Sequence, residues 1–164
     1  MRSERRKDAT EMFLHACAFV DCVEHYEQVE QNAVHKAMWR STPKIVNTAF
    51  ACEIFLKALL VFNNIEYKRA HNLEELYNLL PAEYQQQIEQ GIVARYGRTT
   101  DVFGLSYLSN IAESFNEWRY SFEHHHLSIE IGYLYMFCEA LREICCKDLY
   151  GESWEKYRAN RQGE

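Results

Sequence analysis

Chemistry in this chain concentrates in one stretch, Phe115-Asn116-Glu117-Trp118-Arg119-Tyr120-Ser121-Phe122-Glu123-His124-His125-His126. Arg119 is a permanent cation whose planar fork of donors suits two-point contact with a phosphate. His124, His125 and His126 follow it with four, five and six residues between. Imidazole titrates near neutral pH, so it can take or give a proton within one reaction. A fixed cation followed by three imidazoles is the densest group of residues able to do chemistry in the chain. Structural uses compete for the same residues. Arg119 can pair with Glu123 one turn on, or with Glu53 across a bundle, and three consecutive His can be a hydrophilic inter-helix loop. A metal held by these His with Glu123 or Glu130 is disfavoured, because adjacent residues rarely present imidazoles to one ion. No metal and no cofactor is expected.

The elements that must position this stretch read as helices. Phe13, Ala16, Val20, Val23, Tyr26, Val29 and Ala33 recur at three- and four-residue steps, predicting an amphipathic helix from about Asp8 to Met38. Arg2, Arg5, Arg6 and Lys7 precede it as a basic run, read as a solvated tail or, more weakly, a phosphate-attracting arm. Thr42 and Pro43 form a helix start. The helix they open reaches about Phe62 and is apolar on most of its circumference, so it is expected to be the most buried element. Glu53 and Lys57 on it are an i,i+4 pair in the favourable order, expected as a helix-surface ion pair, with partial burial on so apolar a helix as the alternative. Asn63 and Asn64 end it.

Asn72 can cap a short helix in which Glu75 stands three residues later, with Leu73, Leu76, Leu79 and Leu80 inward. Ala82 to Tyr96 is a further helix, and the stretch from Gly97 to Gly104 is loop-like. One helix is expected over Leu105–Phe122, with Leu108, Ile111, Phe115, Trp118 and Phe122 inside and Arg119 at the stripe's edge. The last starts near Leu127 or Ser128, ends near Tyr150, and has Gly151 as its cap. Ser153 to Glu164 is polar and expected to fray. The sum is an all-α antiparallel helical bundle of four long helices plus one or two short ones. Its domain spans residues 8–150, between a basic tail at 1–7 and a polar tail at 151–164.

Composition bounds the function. Only 6 Gly and 2 Pro are present in 164 residues, too few for a sandwich or barrel. A net charge of -6 argues against a broad nucleic-acid-coating surface but leaves room for one small basic site. No uninterrupted apolar run reaches the roughly 18 residues that span a bilayer, and no apolar region follows the basic N-terminus. No membrane association is expected, and the expected compartment is the cytoplasm. None of the six Cys forms a C-x-x-C pair, so helical Cys are read as small buried hydrophobes. Gly-rich phosphate loops, G-x-S-x-G and H-E-x-x-H are all missing from the sequence.

Three places taken in order resemble the HEPN family (higher eukaryotes and prokaryotes nucleotide-binding). Ala51-Cys52-Glu53-Ile54-Phe55-Leu56-Lys57-Ala58-Leu59-Leu60 looks like its second-helix pattern of Glu and Lys amid apolar residues. His71-Asn72-Leu73-Glu74-Glu75-Leu76 looks like its H-x-L-x-x-L short helix. Trp118-Arg119-Tyr120-Ser121-Phe122-Glu123-His124 sits where the family carries R-x4-6-H, in a Trp-Arg-Tyr-x-x-Glu form. The resemblance implies a HEPN-like bundle that works as a homodimer. It also implies a metal-independent endoribonuclease of toxin or defence type, with a possible antitoxin or other partner protein. Arg119 would clamp the phosphate and His124 or His126 would act as acid or base, with His125 in support. Glu53, Lys57, Trp118, Tyr120 and Glu123 would bind or support. The alternative is a non-catalytic HEPN-like module that binds RNA, a nucleotide or a partner protein.

Overall fold

The computed structural model describes residues 2–30, 41–96, 105–123 and 128–161. Among them the chain is helical, with no strand. The elements are α1 (Arg2–Glu30), α2 (Thr42–Phe62), α3 (Leu73–Asn78), α4 (Ala82–Tyr96), α5 (Leu105–Ile111), α6 (Ser114–Arg119), a 3-10 turn at Ser121–Glu123, α7 (Ile131–Tyr150) and α8 (Trp154–Arg161).

Helix α2 is the axis of the bundle. Phe13 meets Phe55 and Phe19 meets Phe50, so α1 runs antiparallel to it. The free thiols of Cys52 and Cys138 lie within hydrogen-bonding reach, and the Cys145 thiol donates to the Phe55 carbonyl, so α7 runs parallel to it. Tyr84 donates to Asp148, and Gly91 lies against Ala140, which sets α4 antiparallel on the outer side of α7. A Cβ built on Gly91 would come 3.1 Å from the Ala140 Cβ, so the missing side chain is what lets α4 and α7 approach here. The core they enclose includes Phe13, Phe55, Leu56, Leu59, Phe137 and Leu141, each under 2% exposed and so removed from water almost completely.

An 18-residue window of α2, although interrupted by charged residues, has a mean hydropathy of 1.9, enough by length and composition to cross a membrane. Sixty-one per cent of that window is buried inside the bundle, so tertiary packing accounts for its apolar length.

Several boundaries differ from those the sequence predicts. Helix α1 begins at Arg2, inside the stretch read as a tail. The Arg6 guanidinium donates to the Leu149 carbonyl at 2.6 Å, so it satisfies a carbonyl in the last turn of α7. Residues 31–38, the predicted end of the first helix, and the loop-like 97–104 lie outside the described residues. The single helix expected over 105–122 is broken at Ala112–Glu113. The Ala112 carbonyl accepts from the Leu73 amide at 3.0 Å, and the Ile111 carbonyl accepts from the Ser114 hydroxyl at 2.6 Å. Helix α7 starts at Ile131 rather than near Ser128, just after the Glu130 amide donates to Asn110 Oδ1 at 2.8 Å.

The C-terminal stretch expected to fray is helical through α8. Trp154 and Tyr157 pack against Phe13, and Arg161 lies 4.1 Å from the Tyr157 ring centroid. Other local readings hold. The Asn72 side chain accepts from the Glu75 amide, and Gly151 caps α7 at φ 74. Asn64 takes a left-handed φ of 59 after α2.

Candidate functional site

The sequence places the site around Arg119, and α6 carries that residue at its end. The break at Ala112–Glu113 lets α6 lie along α2. The Phe115 ring stacks on Phe50 at 4.8 Å, and Ser121 Oγ lies 3.4 Å from Thr42 Oγ1, so α6 runs antiparallel to α2. The Arg119 guanidinium sits 5.0 Å from the Phe115 centroid and 4.7 Å from that of Tyr120. Phe19, Phe50, Phe115, Arg119 and Tyr120 thus form a ladder from the core to the surface. Trp118 is half-buried against the core, whereas Tyr120 is 43% exposed and Glu123 is exposed.

The structural fates open to Arg119 are not the ones taken. Among the described residues it pairs with neither Glu123 nor Glu53. The residue is exposed, and its charge rests on ring quadrupoles, with no carboxylate partner among the described residues. His124, His125 and His126 lie outside the described residues.

Glu53 and Lys57 correct the expectation of a surface pair. The Glu53 side chain is 3% exposed and that of Lys57 13%. Lys57 Nζ donates to Glu53 Oε1 at 2.6 Å. The same oxygen is 2.9 Å from His71 Nδ1, and Oε2 is buried with no hydrogen-bond partner. A carboxylate pairs with two neighbours through one oxygen, so the cluster works as a pedestal under His71, whose side chain is 61% exposed.

His71 is the residue that site reasoning from the sequence missed. The H-x-L-x-x-L pattern contains it, but nothing in the spacing says that the loop after α2 returns His71 to Glu53. An ionised carboxylate only accepts, so Nδ1 carries the proton in the neutral ring and Nε2 is left as an acceptor.

The site is also tied together structurally. Asn72 Nδ2 donates to Glu113 Oε1 at 2.6 Å, and Leu73 N donates to Ala112 O at 3.0 Å. The His71 loop is therefore fastened to the start of the helix whose end carries Arg119.

The cysteines take no part. Cys17, Cys52, Cys138, Cys145 and Cys146 are buried, and only Cys22 is exposed. Burial pushes the Cys17 thiol up to about 12 and Cys146 up to about 11, far from the range of a reactive thiolate. Among the described residues no three His, Cys, Asp or Glu side chains gather where a metal could be held. Comparison with protein-family models, curated proteins and solved structures gives no match.

Proposed function

We propose that this chain is a HEPN-like, metal-independent endoribonuclease in which Arg119 holds the scissile phosphodiester. The observation that carries this reading is the state of Arg119: exposed, fixed on two rings and without a carboxylate partner among the described residues. A guanidinium kept for structure would be paired. One kept for an anion must leave its donors open, and stacking fixes the plane of the fork without occupying them.

In the reaction, the ribose 2'-oxygen attacks phosphorus as a base takes its proton. The 5'-oxygen leaves with a proton from an acid, giving a 2',3'-cyclic phosphate and a 5'-hydroxyl end. A His among His124, His125 and His126 supplies acid or base function. Arg119 offsets the charge that gathers on the non-bridging oxygens. The toxin or defence role, the homodimer, a protein partner and a cytoplasmic location belong to the same proposal.

The test is cleavage of single-stranded RNA in excess EDTA. Wild type is expected to cut and to leave cyclic phosphate ends. Arg119→Ala, and a variant with His124, His125 and His126 changed to Ala, are expected to lose cleavage while staying folded. Cleavage that vanishes with chelator, or that survives in Arg119→Ala, counts against the proposal.

The exposed Tyr120 ring at the end of the ladder favours a second reading, a non-catalytic module on which a base stacks. Retained RNA binding with no turnover by wild type would select it.

A further inference from the structure

The loop between α2 and α3 carries Lys68 and Arg69 against one carboxylate, Glu66, in a chain of net charge -6. Lys68 and Arg69 are exposed, and neither has an ion pair among the described residues. His71 stands beside them on the Glu53 pedestal, and Lys57 lies beneath, 5.3 Å from the Tyr67 ring centroid. Glu66 in the same loop is exposed, and three other nearby carboxylates are turned to other uses. Glu53 is occupied by Lys57 and His71, Glu74 accepts from Ser109, and Glu113 accepts from Asn72 and Asn116. Asn72 and Leu73 fasten this loop to the start of α6, and Arg119 lies at the other end of that helix, whose six residues rise roughly 9 Å at about 1.5 Å each. A strand whose phosphate rests on Arg119 can reach the far end of α6 within a short oligonucleotide.

We propose that Lys68, Arg69 and His71 form a second subsite for the same single-stranded RNA, taking the backbone beyond the phosphate held by Arg119. This rests on the function proposed above. Lys68 and Arg69 neutralise phosphate charge. The Nε2 of His71, left as an acceptor by the bond from Nδ1 to Glu53, takes a hydrogen bond from a ribose 2'-hydroxyl, the group that distinguishes RNA from DNA. The subsite explains why an acidic protein carries a fixed imidazole beside two exposed cations that have no ion pair among the described residues.

The test measures binding of a 12-nucleotide single-stranded RNA and the DNA of the same sequence by fluorescence anisotropy across a salt series. The full chain with His124, His125 and His126 changed to Ala is used, so that RNA stays intact. Changing Lys68 and Arg69 together to Ala is expected to weaken RNA and DNA alike about tenfold. It should also flatten the salt dependence by about 1.4 in log-log slope, at about 0.7 per phosphate contact on a single strand. These side chains are exposed, so the fold is not at stake. His71→Ala is expected to weaken RNA several-fold and leave DNA unchanged. Unchanged affinity in the Lys68/Arg69 variant, while Arg119→Ala weakens binding, would overturn the subsite and leave the Arg119 reading standing. Weakening of RNA and DNA to the same extent by His71→Ala would overturn the ribose contact. No RNA binding by the parent chain, or binding indifferent to Arg119→Ala, would overturn the function on which the subsite rests.

Discussion

Arg142 and Arg119 are the same side chain placed on aromatic rings at similar distances, yet their surroundings are opposite. Arg142 lies 4.5 Å from the Trp154 centroid, with a side chain only 5% exposed. Its Nη2 donates to Glu139 at 2.6 Å and its Nη1 to Glu24 at 3.3 Å. Burial works most strongly against its charge, but Glu139 and Glu24 outweigh it and hold the guanidinium pKa above its ordinary value. Arg119 has rings at 5.0 and 4.7 Å, solvent in place of burial, and no carboxylate among the described residues. One cation is consumed in tying α1 to α7; the other is exposed, with no carboxylate partner among the described residues. The contrast lies in what surrounds each guanidinium, not in the side chain itself.

Mutations can break or sharpen this contrast. The largest stability loss should come from Glu53→Ala, which strands the buried Lys57 charge. A loss of about 3–5 kcal/mol is expected from chemical denaturation. Arg142→Ala should cost less, about 2–3 kcal/mol, because Glu24 and Glu139 are each about a third exposed and can turn to water. Arg119→Ala should cost under about 1 kcal/mol, the scale of an exposed cation–π contact. If Arg119→Ala destabilised the fold as much as Arg142→Ala, Arg119 would be a structural residue and the contrast would collapse. The smallest effect concerns the thiols. Native protein treated with iodoacetamide at pH 8 should gain one adduct, at Cys22, and denatured protein six. Two or more adducts in the native state would mean that the packing around Cys17 or Cys146 is looser than described.

Local signals in the sequence suffice where local chemistry decides the outcome. Asn72, Asn64 and Gly151 end or start helices through their own side-chain bond or backbone freedom, and each does so in the fold. The misreadings share a different cause. The helix break at Ala112 depends on the Leu73 amide, which arrives from another part of the chain. Helix α8 holds few apolar residues, and its order comes from Trp154 and Tyr157 meeting Phe13 and Tyr150. Arg6 is part of α1 and bonds the last turn of α7, a partner 143 positions away.

The candidate site divides along the same line. Arg119 stands out by type and spacing, and so do the His that follow it. The burial of Glu53 and its grip on His71 arise from the return of the α2–α3 loop, which no periodicity encodes.

The most direct test of the central claim, that Arg119 is a cation kept open for phosphate, is the cleavage rate of single-stranded RNA in EDTA for Arg119→Ala and Arg119→Lys against wild type. The account predicts a loss of about 10²–10³ for Ala, the scale of removing one transition-state donor. It predicts a smaller loss for Lys, which restores charge without the planar fork. Wild-type cleavage by Arg119→Ala would contradict it.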